Sequence, residues 1–260
     1  TSGTTGQPKG VMLTHHNLAF TASSVLQVYT LRLDEVVVSY LPLSHIAEQL
    51  MSIYLAITGG VLIYFAGGVD KLRDTLPIAR PTLFMGVPRV WEKLQAALQQ
   101  KLGEASPIQR RVIAWARDVG LRSGNYRLEH GTPFGLLTLE EKLAARLLFT
   151  KVKTSLGLDR VHLALSSAAA IRKEVLDFFL SLQLPIHEVY GLSECTGPMT
   201  LSAKEPGKTR FGTVGRVLPG GTINVITKKP KTKPSQRIGI SAGGNNLLRA
   251  QASSTGPVGD

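Results

Sequence analysis

Short runs of β-branched and apolar residues alternate along this chain with longer runs of helical spacing, and that alternation restricts the fold more than any other feature. Residues 36–41 (VVVSYL), 61–65 (VLIYF), 82–85 (TLFM), 161–165 (VHLAL) and 186–189 (IHEV) read as strands. Between them, 46–57, 70–79, 88–102, 108–122, 139–156 and 171–182 repeat apolar residues at helical intervals, as Val90, Leu94, Ala97 and Leu98 do behind Pro88. Alternation of this kind builds βαβ units. The expected fold class is therefore α/β, a largely parallel β-sheet with flanking helices. The most apolar stretch, 53–66, is shorter than the about 20 residues of a membrane span. It reads as a helix ending at Gly59 followed by a buried strand. Residues 103–137 carry many Gly and Pro residues and are expected to hold one helix between loops.

The chain opens on Thr1-Ser2-Gly3-Thr4-Thr5-Gly6-Gln7-Pro8-Lys9-Gly10. Glycines let backbone N–H groups approach phosphate oxygens, hydroxyls add donors, and Lys9 adds a mobile positive charge. This is polyphosphate-binding chemistry, although Gly6 and Lys9 are spaced differently from a Walker A loop. Such a loop needs a strand in front of it to set its direction. A further N-terminal part is therefore expected.

Three more segments sit where strands give way to helices or turns, the edge at which open α/β sheets bind ligands. In Leu41-Pro42-Leu43-Ser44-His45-Ile46, Ser44 reads as a helix N-cap and His45 as a candidate site residue. In Ser166-Ser167-Ala168-Ala169-Ala170, small side chains permit a flat ring to approach the backbone; a plain tight turn would need the same residues. In Tyr190-Gly191-Leu192-Ser193-Glu194, the ring can pack on a purine, the hydroxyl can reach a phosphate, and the carboxylate suits Mg²⁺. Cys195, the chain's single cysteine, has no activating base in view and reads as a bystander thiol.

Thr1 to Gly10, continued by Val11-Met12-Leu13-Thr14-His15, resembles the signature of the AMP-forming adenylate enzymes, the superfamily of acyl-CoA synthetases, luciferases and peptide-synthetase adenylation domains. The 41–46 and 190–194 segments are similar to that family's later motifs. Residues 39–48 and 86–93 look most like the bubblegum type of long-chain acyl-CoA synthetase. The resemblance implies that Thr1, Ser2, Gly3, Thr4, Thr5, Gly6 and Lys9 cradle the phosphates of ATP. It implies that Glu194 holds Mg²⁺, that Ser167, Ala168, Ala169, Tyr190, Gly191 and Ser193 contribute to the nucleotide site, and that His45 lies near the acyl group. Lys9, His45 and Glu194 would be the catalytic set. Ser167 stands where the family carries Gly and Ala170 where it carries Pro, which puts adenine binding in doubt.

By the same resemblance, residues 1–226 are a partial adenylation domain and the function is long-chain fatty acid–CoA ligation from ATP and CoA. As a fragment the chain is expected to be inactive. The alternative is a non-catalytic nucleotide-binding module or inert truncated isoform. The family's ribose-binding Asp, its hinge and its small C-terminal domain with a catalytic lysine have no counterpart here. Fatty acid, ATP and CoA are the expected partners, the 103–156 region is expected to face a membrane peripherally, and the expected location is cytoplasmic or on an intracellular membrane such as the endoplasmic reticulum.

The tail has a different composition. Residues 204–260 carry 10 Lys and Arg against 2 Asp and Glu, whereas residues 1–203 carry 20 against 16. Nucleic acid is disfavoured as a partner, because Phe211 is the tail's one aromatic residue on which a base could stack. Residues 227–260 are expected to be a disordered tail.

Overall fold

The computed structural model describes residues 10–32, 34–202, 205–210 and 212–219 with their side chains. It gives the backbone alone for 221–224, 235–243 and 247–255. The first helix, α1 (His15–Val28), starts on a capping box: Thr14 accepts from the Asn17 N–H, and the Asn17 side chain answers the Thr14 N–H. Strand β1 (Val36–Ser39) follows, then α2 (Ile46–Gln49), a π-helical turn at Leu50–Tyr54, and α3 (Leu55–Gly59), which Gly60 ends in the left-handed region at φ 69°. Next come β2 (Leu62–Phe65), α4 (Leu72–Ala79), β3 (Leu83–Gly86), α5 (Pro88–Gly103) and α6 (Pro107–His130). After α7 (Leu136–Ala144) a second π turn at Ala145–Phe149 leads into α8 (Thr150–Leu156). The remaining core elements are β4 (Leu163–Ser166), α9 (Lys173–Leu180), β5 (Ile186–Leu192), β6 (Gly197–Leu201) and β7 (Arg216–Val217).

Strands β3, β4 and β5 pair in parallel, and β6 and β7 extend the same sheet antiparallel, in the order β3-β4-β5-β6-β7. A parallel pair, β1 with β2, is tied to it where Thr82 N–H donates to Val36 O at 2.9 Å. The core on one face centres on Trp91, Phe84, Phe149, Phe178 and Phe179, all fully buried. At the opposite end of the strands from the candidate site, buried Glu35 accepts from His162 Nε2 at 2.8 Å, from the Arg32 N–H at 2.9 Å and from the Thr82 hydroxyl, clasping three strand starts together.

Several expectations need correction. The 61–65 run is not a buried strand: β2 is an edge with its outer side unpaired among the described residues, and Phe65 is 74% exposed. The helix expected over 108–122 runs to His130, through Gly120 and Gly124. A Cβ at Gly120 would lie 2.1 Å from Ser181 O, so these glycines mark close helix packing rather than loop. Beyond the core, the backbone forms β8 (Gly221–Asn224) and, within the 227–260 tail, β9 (Ser235–Gly243) and β10 (Leu247–Thr255). There β10 pairs parallel with β8 and antiparallel with β9. Ladder hydrogen bonds use only backbone groups, and a composition argument does not see them.

Candidate functional site

The loop between β1 and α2 is held by a carboxylate that the sequence reading did not single out. Glu48 is 2% exposed; one oxygen accepts the Leu41 N–H at 3.0 Å and the other accepts the Ser52 hydroxyl. Ser52 lies in the π turn, so Glu48 fastens the loop carrying His45 to the irregular part of the helix behind it. A glutamate three residues beyond the histidine of an LPLSHIAE run was the available signal; its burial was not readable without the fold.

His45, not Ser44, caps α2. Its Nδ1 accepts the Ala47 N–H at 3.2 Å. Ser44 was expected as the cap because it is the better N-cap residue type; here the imidazole nitrogen takes that place. The bond fixes the neutral tautomer: Nδ1 is the acceptor and Nε2 carries the proton. His45 lines a cavity of about 400 Å³ between α1, α2, the π turn and the sheet.

Most of that wall is apolar, including Val25, Leu31, Met51, Leu55, Leu83 and Leu165. The polar side chains in the lining are His45, Ser167, Ser193 and Glu194. The tight turn that brings Ser193 and Glu194 there depends on two glycines. A Cβ on Gly191 would sit 2.0 Å from Gly197 O, and Gly197 has φ 120°. Burial and then the neighbouring Glu194 charge push the Cys195 thiol up to about 11, leaving it protonated and inert near neutrality.

Ala168 also lines the cavity, at φ 78°, a left-handed conformation that costs a non-glycine residue roughly 1–2 kcal/mol. The strained residue of the small-residue turn is thus Ala168; Ser167, which stands where the similar family carries Gly, is not in that region. The Ser166 hydroxyl just before it is buried with no hydrogen-bond partner.

His45, Ser167, Ala168, Gly191, Ser193 and Glu194 therefore share one cavity. Ala169 and Tyr190 do not line it. Tyr190 is 41% exposed, beside the irregularity in register at Tyr190/Gly191. Thr1, Ser2, Gly3, Thr4, Thr5, Gly6 and Lys9 lie outside the described residues. The chain immediately after them is described: Val11 and Leu13 line a second cavity of about 330 Å³ together with Ser44 and Ser193. The exit from the glycine-rich loop thus lies beside the Ser193-Glu194 corner.

Among the described residues, no group of three or more His, Cys, Asp or Glu side chains could hold a metal unaided. A lone carboxylate in a cavity wall suits Mg²⁺, which takes most of its ligands from water and phosphate oxygens. Glu194 fits that ion and would not suit one needing a full protein cage.

Comparisons with known proteins give the family and the fold. A family model described as AMP-binding enzyme matches residues 1–240. The chain is 45% identical over 228 residues to the long-chain-fatty-acid–CoA ligase ACSBG2 of Xenopus laevis, covering 85% of this chain and 30% of that protein. It is 41% identical over 227 residues to the human protein of the same name, covering 85% and 33%. The chain thus spans about a third of the length of the curated relatives it matches. Among solved structures, a malonyl-CoA ligase ternary product complex with methylmalonyl-CoA and AMP aligns with a TM-score of 0.56 at 22% identity, over 85% of this chain and 37% of that one. The O-succinylbenzoate coenzyme A synthetase of Bacillus subtilis, in complex with AMP, aligns with a TM-score of 0.54 at 15% identity, over 95% and 37%. At these identities the likeness is one of fold.

Proposed function

This chain belongs to the AMP-binding enzyme family, and from that premise we propose that it carries the acyl- and nucleotide-binding part of a long-chain fatty acid–CoA ligase. The observation that carries the proposal is one cavity whose mostly apolar lining also includes His45, Ser193 and Glu194. A fatty acid has that same division: an alkyl chain that gains by leaving water and one carboxylate that must stay near polar groups.

In the proposed reaction the fatty carboxylate attacks the α-phosphorus of ATP and pyrophosphate leaves. The CoA thiol then attacks the acyl carbon and AMP leaves. The His45 Nε2–H donates to an oxygen of the carboxylate or acyl phosphate, orienting it. The Ser193 hydroxyl donates to a phosphate oxygen, and Thr1–Gly6 and Lys9 surround the remaining phosphates. Ser167 and Ala168, which line the same cavity, would face the nucleotide. Glu194 would hold Mg²⁺, which supplies charge neutralisation at the phosphates. The proposed location is cytoplasmic or on an intracellular membrane.

The test is exchange of labelled pyrophosphate into ATP by the full-length protein, with and without palmitate. Palmitate-dependent exchange is expected. ATP binding without exchange would overturn the ligase reading in favour of a nucleotide-binding module.

A further inference from the structure

Two apolar features of the surface take no part in the candidate site, and each has the shape and charge that the other lacks. The first is a cavity of about 620 Å³ between α4, α5 and the end of α8, larger than the candidate site itself. Leu72, Leu76, Val90, Leu94 and Leu98 lie buried in its lining. Asp70, Arg73 and Asp74 line it from α4 and the turn before it, and Lys93 and Lys101 line it from α5. All five charged residues are exposed, and none is in an ion pair among the described residues.

The second is a ridge. Leu136, Leu139, Leu143 and Leu147 are exposed, from 71% at Leu136 to 42% at Leu147. They recur at three- and four-residue intervals and so form one stripe along α7 and its π turn. Large apolar side chains exposed side by side mark an interaction surface. Lys142 and Arg146 are exposed and in no ion pair among the described residues. At about 3.6 residues per turn they fall on one flank of the stripe. Glu140, which pairs with Arg122 at 3.1 Å, falls on the other.

The two features match in length and in charge. Leu136 to Leu147 and Val90 to Lys101 are equal stretches of chain, each about 16 Å long as helix. Laid in the cavity, the stripe brings its leucines against buried leucines and out of water. A helix can lie in such a groove in two directions. Only one of them sets Lys142 and Arg146 along the side of Asp70 and Asp74 and Glu140 toward Lys93 and Lys101; Arg73 is the one like charge on the acidic side. The stripe is exposed in its own chain, so the helix that fills the cavity comes from another.

We propose that α7 of one copy of this chain docks in the α4–α5 cavity of a second copy. The patches are unlike, so two copies close as a pair only where both contacts form at once; otherwise the contact continues from copy to copy. The proposal does not depend on the ligase reading: a chain that adenylates nothing would still associate.

The experiment is sedimentation velocity of the full chain over a concentration series, where concentration-dependent association is expected. Reversing the stripe's cations, Lys142→Glu with Arg146→Glu, should weaken association about ten-fold or more, as should reversing the cavity's acids, Asp70→Lys with Asp74→Lys. All four changes in one chain should restore it, which a damaged fold could not do. Leu139→Glu with Leu143→Glu should abolish self-association. Mixed with the Asp70→Lys, Asp74→Lys variant, which disfavours the native Lys142 and Arg146 in its own cavity but keeps its stripe, the leucine variant should form a one-to-one complex, because its cavity is intact. A native chain that stays monomeric up to about 100 μM, association undiminished in either reversed variant, or no restoration by the fourfold change would overturn the proposal.

Discussion

Trp91 links the core to the candidate site, and its environment allows a quantitative test. The indole is fully buried, edge-on to Phe84 at 5.2 Å and to Phe179 at 5.0 Å. Its Nε1–H donates to Leu165 O at 3.1 Å, at the end of β4 from which the Ser167-Ala168 turn departs. Gly86 makes room for it: a Cβ there would lie 2.7 Å from Nε1 and 2.9 Å from Cε2. Trp91→Phe removes the indole N–H and leaves a void, costing about 2–4 kcal/mol from the lost donor and the cavity together. Gly86→Ala alone overpacks the same spot and costs about 1–3 kcal/mol. Combined, the new methyl occupies space the indole has vacated. The double variant should therefore be more stable than the sum of the two losses predicts, by about 0.5–3 kcal/mol. Urea unfolding followed by circular dichroism, with unchanged slopes, measures all four corners of the cycle. Strict additivity, or a Trp91→Phe midpoint equal to the parent's, would refute the reasoning.

Four further outcomes are expected. Burial alone would raise the Glu35 carboxyl, but bonds from Thr82, the Arg32 N–H and His162 hold it below its ordinary value. Its stabilisation is thus present above the unfolded carboxylate pKa and is lost as pH falls through the lower folded value. The stability gap between the parent and Glu35→Gln, about 1.5–3 kcal/mol at pH 7, should narrow in urea melts run below the ordinary carboxylate pKa. Gly191→Ala must push the turn off Gly197 O and should remove pyrophosphate exchange more completely than it lowers the melting temperature; intact exchange would contradict the close approach. Glu194→Gln should cut Mg²⁺-dependent exchange by about 10²-fold, with ATP titrations recording whether binding survives. Native Cys195 should resist iodoacetamide at pH 8 and react once urea unfolds the chain, as its raised pKa of about 11 requires.

Local periodicity determined the strand–helix alternation, because burial on a repeating face leaves a mark in composition: Val36–Ser39 falls within a run legible as a strand, and Leu83–Gly86 and Leu163–Ser166 each overrun theirs by one residue. Motif chemistry likewise pointed to His45, Ser193 and Glu194 without coordinates. What the sequence could not carry was anything set by distant neighbours. Whether 62–65 is central or an edge depends on which strand pairs beside it. The continuity of α6 through Gly120 depends on Ser181 lying against it. The cap of α2, the anchoring of its loop by Glu48 and the exclusion of Tyr190 from the cavity are likewise decided by where side chains point after packing. Side-chain types are written in the chain; their partners exist only once residues far apart in it are brought within a few ångströms.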